Sequence, residues 1–160
     1  MWSRKVRSSR VTAAKAAVVV AASATALLSG SGTAAAAEYW GDMVAGLRCS
    51  GVSPNIIDMP YSSSIYASGS SDRPGLAHLQ VNTGGSIWGY DTHPTVNWTN
   101  LNTGASGSVT GHGRVSLGDQ TSVWFDIPTG AGQVRIDLSV VNTGFVPVPP
   151  VTCSGTTHVR

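Results

Sequence analysis

Asp91, His93 and His112 are the residues whose types could do acid–base or metal chemistry together: a carboxylate and an imidazole in "DTH", a second imidazole in "GHG". A carboxylate that orients an imidazole is the logic of a hydrolytic triad, and imidazoles with a carboxylate can ligate zinc. Zinc, however, wants three or four ligands at supporting spacing, and none of the recognised patterns is present. No Gly-x-Ser-x-Gly elbow exists to present a nucleophile. Asp72 in "SSDRPG" and Asp119 in "LGDQTS" sit beside Gly or Pro as turn residues do, and calcium-loop spacing is missing. His78 falls on the polar side of its segment, and His158, beside the C-terminus, is expected to fray. The sequence therefore predicts no enzyme, no metal and no cofactor, with an enzyme using Asp91, His93 and His112 as a minor alternative.

Aromatic residues give the only positive lead. In "TSVWFDI", Val123, Phe125 and Ile127 share one side, which leaves Trp124 with Ser122 and Asp126 on the other. Trp88 and Tyr90 are in phase with each other and opposite Ile87, with the buried side undecided. An outward Trp among polar groups suits a sugar-stacking or protein-binding surface, because the ring offers large area and a donor at low entropy cost. Trp124, Trp88 and Tyr90 are thus the candidate binding residues. The competing reading, preferred for Trp124, is that the "VPVPPV" run or residues 39–67 cover that face. The proline-rich run itself is extended by its prolines. It is expected to shield a sheet edge or, alternatively, to enter a protease as an inhibitory loop spanning Val146–Val151.

The elements that must position these residues follow from the start of the chain. Arg4, Lys5, Arg7, Arg10 and Lys15 precede an apolar run from Ala16 to Leu28, and small residues then lead to Ala35-x-Ala37. That is the pattern of a secretory signal peptide over residues 1–37, too short in its apolar part to span a membrane. Residues 38–160 then form a single domain, soluble and extracellular. Five of the ten basic residues leave with the leader, so the mature chain carries five arginines against eight acids, a net charge of −3. Scattered arginines on an acidic chain do not neutralise phosphates, which excludes nucleic-acid binding.

Within the mature chain, alternation replaces helical spacing. "GQVRIDLSVV" sets Val134, Ile136, Leu138 and Val140 on one face, and "GLAHLQV" and "PTVNWTN" alternate likewise. "SSIYA", "SIWGY", "RVSL" and "GFVPV" are shorter strand candidates. The triplet Asn-Thr-Gly at Asn82, Asn102 and Asn142 reads as chain reversal, because Asn and Gly enter the left-handed backbone region cheaply. The first triplet is placed as a hairpin between "AHLQV" and "SIWGY". No helix follows any of them, as a phosphate loop requires. Cys49 and Cys153, in an oxidising compartment, are expected to bridge. Many short strands with one staple predict an antiparallel β-sandwich, with a small β-barrel as the runner-up.

At "VNWTNLNTGASGSV", followed by "IPTGAGQVRIDLSVV", the chain resembles small secreted actinobacterial proteins of unknown function over about Thr95 to Val141. The resemblance implies an immunoglobulin-like sandwich and lends no catalytic residue. "NWT" at Asn97–Thr99 matches a glycosylation acceptor with Asn97 outward, an idle match in a bacterial source. The expectation is a secreted, non-catalytic binding module for an extracellular glycan or protein. The alternatives are a small protease inhibitor or a protein of purely structural role.

Overall fold

The computed structural model describes residues 37–117 and 121–160. Apart from Ala37, the expected leader lies outside the described residues, and so does Asp119. Among the described residues nine strands run in chain order: β1 (Tyr39–Gly51), β2 (Tyr61–Ser70), β3 (Leu76–Thr83), β4 (Tyr90–Asn100), β5 (Ser106–Thr110), β6 (Gly113–Val115), β7 (Ser122–Pro128), β8 (Gly132–Thr143) and β9 (Val151–Val159). There is no helix among the described residues, and hence none long and apolar enough to cross a membrane. All pairings are antiparallel, in the order β5-β4-β8-β9-β1-β2-β3-β7, with β6 also on β4. The sheet curls until it is nearly closed into a barrel.

The alternating segments take the faces their periodicity dictates. Val134, Ile136, Leu138 and Val140 of β8 point inward, and so do Ala77, Leu79 and Val81 of β3, Val96 and Trp98 of β4, and Val123, Phe125 and Ile127 of β7. They meet in one continuous core. Each half also carries a Trp laid over a glycine directly across the ladder, Trp40 on Gly69 and Trp98 on Gly107. A Cβ at Gly69 would fall 2.6 Å from the Trp40 ring, so the bare backbone there is what seats the indole.

Two seams hold the halves together. In β1 the register with β2 shifts between Met43 and Arg48, a bulge that turns both Val44 and Leu47 inward. Gly46 takes φ +81 within it, a conformation that side chains disfavour. The bulge reaches β9 through one bridge, Ala45 to Thr156, and the close approach leaves no space for a side chain at Gly155. Beside it Cys49 of β1 and Cys153 of β9 form the expected disulfide, with Cα atoms 5.7 Å apart. At the second seam the Thr121 hydroxyl donates to the Arg114 carbonyl, linking the approach to β7 with β6.

Several sequence expectations need correction. β3 pairs with β2 and β7, not β4, so Asn82-Thr83-Gly84 leads into a crossing between halves, not a hairpin. "SIWGY" is mostly loop, with β4 starting only at Tyr90, and "GFVPV" is not strand. The proline run guards no edge, because the strands it joins, β8 and β9, are both interior. His158 lies in β9 opposite Gln133. The turns at Asn102–Gly104 and Pro128–Gly130 occur as expected, with Gly104 at φ +75 and Gly130 at φ +73.

Both ends of the described chain meet at one end of the curled sheet, where Arg160 Nη1 lies 3.2 Å from Glu38 Oε1. At the other end lie the β1–β2, β3–β4 and β8–β9 loops. The bridge closes a loop across a sequence separation of 104. Its removal in Cys49→Ala/Cys153→Ala should lower unfolding free energy by about 4–5 kcal/mol, read as a reduced urea midpoint with a steeper slope as the unbridged unfolded chain expands.

Candidate functional site

On the outer face of β1-β2-β3-β7, four side chains form a row across the strands: Met43 opposite Tyr66, Tyr66 opposite Gln80, and Gln80 opposite Trp124. Trp124 is 63% exposed and Tyr66 42%. The cover expected over Trp124 is therefore not there: residues 39–51 form β1 at the far side of this half, and the proline run lies at the end of the sheet remote from Glu38 and Arg160. Tyr66 and Trp124 stand two strands apart, about 10 Å from ladder spacing. Gln80 is fixed between them, its Nε2 donating to Asn82 Oδ1 at 2.8 Å and to Ser122 Oγ at 3.1 Å. Ser122 Oγ donates in turn to Asn82 Oδ1 at 2.7 Å. An open groove of about 470 Å³ adjoins the row, lined by Met43, Arg48, Ser64, Tyr66, Asn82 and others. His78 and Asp126 pair on the same face one row further along.

Trp88 and Tyr90 do not share a face. Gly89 between them takes φ +75, which breaks the alternation. Tyr90 is consequently buried in the core at 2% exposure and is withdrawn from any binding surface. Burial pushes its phenol pKa up, helped by nearby Tyr61 and Asp58. Trp88 is 59% exposed, and its indole N–H donates to the Ile57 carbonyl at 3.2 Å.

That bond belongs to a network that sequence reasoning missed. The Asp58 carboxylate accepts from Ser53 Oγ and Asn55 Nδ2 at 3.0 Å each, from the Met59 and Ile87 backbone N–H groups at 2.8 Å each, and from the Ser86 hydroxyl. Desolvation opposes its ionisation, but the bonds from Ser86, Ile87, Asn55 and Met59 outweigh it and hold the carboxyl well below the usual carboxylate range. Asn55, itself buried, also donates to the Gly89 carbonyl at 3.1 Å and accepts from Phe145 N at 3.3 Å. Val146 N donates to the Pro54 carbonyl at 2.8 Å, docking the proline-rich run onto the same loop. Above this hub, Ile57 adopts φ +55, a region unfavourable for a β-branched residue. A lone Asp in "NIIDMP" carries no signal for such a hub, because two of its five donors, Ser86 and Ile87, come from a distant loop.

The structure does bring the acid–base residues together. His112 Nε2 lies 3.5 Å from Asp91 Oδ1, and the His93 and His112 rings are 4.8 Å apart. Arg114 Nη1 contacts both Asp91 oxygens at 3.3 Å and so engages the carboxylate. The cluster lies on the open surface of β4 and the β5–β6 turn. Among the described residues no group of three or more His, Cys, Asp or Glu is placed to hold a metal.

No protein-family model matches the chain, and neither a curated protein nor a solved structure is significantly similar to it.

Two outcomes are expected at the hub. Asp58 is depressed below its ordinary 3.8, so its bonds contribute fully above that pH and are lost as pH falls through the folded-state value. Asp58→Asn should cost about 1–3 kcal/mol at pH 7, a gap to wild type that closes in acid, read by urea unfolding across pH. Ile57→Gly should instead gain about 1 kcal/mol by relieving the left-handed backbone, read as a raised melting temperature.

Proposed function

We propose that this chain is a secreted, non-catalytic binding module, an immunoglobulin-like β-sandwich in which the outer face of β1-β2-β3-β7 stacks an extracellular glycan. The disulfide between β1 and β9 supports export to an oxidising compartment. One observation carries the binding reading: Trp124 stands exposed in a row with Tyr66, flanking a hydrogen-bonded Gln80.

Sugar rings present an apolar C–H face and an equatorial rim of hydroxyls. Two aromatic platforms two strands apart suit the length of a disaccharide, and the held amide between them, its two N–H groups already given to Asn82 and Ser122, offers its carbonyl at a defined position. Because Asn82 and Ser122 already fix Gln80, a ligand need not order it, which lowers the cost of association. The flanking groove adds the hydroxyls of Ser50, Ser62 and Ser64 with the guanidinium of Arg48. A protein partner uses the same anchors, but a flat face rich in hydroxyls and amides favours polyhydroxylated ligands.

Co-sedimentation of the mature protein with a panel of insoluble polysaccharides, backed by tryptophan-fluorescence titration with soluble oligosaccharides, tests this. A retained polymer whose binding weakens at least tenfold in Trp124→Ala, and less in Gln80→Ala, is the expected result. Retention by no polymer in the panel, or retention indifferent to Trp124→Ala, would overturn it.

A further inference from the structure

We propose that the apolar patch formed by the β1–β2, β3–β4 and β8–β9 loops, at the end of the sheet remote from Glu38 and Arg160, inserts into the surface of a lipid membrane. This goes beyond the glycan reading and rests on a different surface. Residues 52–60, 84–89 and 144–150 converge there, joined by the bonds from Ile87 N to Asp58, from Trp88 Nε1 to the Ile57 carbonyl and from Phe145 N to Asn55. They present Val52, Ile56, Ile57, Ile87, Trp88 and Phe145 to solvent, Ile57 the most at 87% exposure. Soluble domains rarely gather so many large apolar side chains at one place without a partner.

The chemistry of these loops selects the partner. Besides the Trp88 indole, their only polar side chains are Ser53, Asn55, Asp58 and Ser86. All are bonded inward: Ser53, Asn55 and Ser86 donate to Asp58, and Asn55 and Ser86 also hold the Gly89 backbone. The indole N–H is satisfied as well. Leaving water is costly for a polar group without a partner, and the patch has met that requirement in advance. A protein partner would be recognised through about one hydrogen bond per 100–200 Å², and these loops have no free side-chain donor to offer.

A second copy is also a poor fit. A stable interface between copies needs roughly 1,200 Å² of matched surface with hydrogen bonds across it, and these loops have no free side-chain donor to supply them. A fluid lipid surface needs neither directional bonds nor a matching concavity. The loops contain no Lys or Arg, so attraction to anionic headgroups supplies little, and insertion must rest on apolar burial with Trp88 at interfacial depth.

The test is co-sedimentation of the mature, disulfide-bonded protein with phosphatidylcholine vesicles and with vesicles doped with phosphatidylserine, at low and high salt. Expected is comparable partitioning into both, insensitive to salt, with a blue shift of Trp88 emission in a Trp124→Phe background, where Trp40 and Trp98 stay buried. Ile57→Gly combined with Phe145→Ser should lower partitioning about tenfold or more without lowering the melting temperature, while Trp124→Ala leaves it unchanged. Four results would overturn the proposal: no partitioning into either vesicle, binding to anionic vesicles alone that salt abolishes, loss in Trp124→Ala, or a concentration-dependent dimer that the paired substitution dissociates. Polysaccharide binding in the same paired variant reports separately on the glycan face.

Discussion

Neither half of this sheet could stand alone, since each exposes a row of branched side chains on one face and needs the other to cover it. The contact that brings them together is the bulge in β1, where Val44 and Leu47 both turn inward and Ala45 reaches Thr156 of β9. A regular strand would have sent one of those two side chains outward and carried the backbone past β9. Hydrogen bonding across this seam is sparse, and the Cys49–Cys153 link lies where the ladder gives least support. Because the inner faces satisfy each other, the outer faces and the loops are free to carry recognition.

Much of this arrangement was legible in the residues. Alternation in β3, β4, β7 and β8 placed their inward side chains correctly, because an antiparallel sheet with one wet face imposes period two directly. The staple followed from two cysteines in a chain whose start reads as an export signal. β1 escaped notice for the reason that makes it important: Val44 and Leu47 are three apart, a spacing that belongs to no regular strand. β9, "VTCSGTTHV", is rich in Thr and Gly and shows only Val151 and Val159 as buried ends. Its place is fixed by neighbours, not by its own composition.

Errors about the site have a common origin. "SIWGY" and "GFVPV" were apolar enough to pass for strands, yet their Ile87, Trp88 and Phe145 point into solvent. Hydrophobicity in a loop mimics hydrophobicity in a core when only the sequence is read. Tyr90 went astray through a single glycine, whose positive φ rotates everything after it relative to Trp88. Trp124 was read in the right phase, but whether another segment crosses over it is a matter of topology. Asp58 shows the remaining limit. Its five donors come from positions 53, 55, 59, 86 and 87, and two of those arrive only because β3 crosses to the opposite half.

The Glu38–Arg160 pair has a topological consequence. With the two ends of the domain already in contact, a short linker between them would close the backbone into a ring without moving a strand. New ends could then be cut at the exposed turn around Thr103, giving a circular permutant with the same neighbours in a different order. In such a molecule the path from β4 to β5 becomes a pair of free ends, while the sulfur link still spans β1 and β9. What the architecture requires is which strands lie side by side, not the sequence in which the ribosome delivers them.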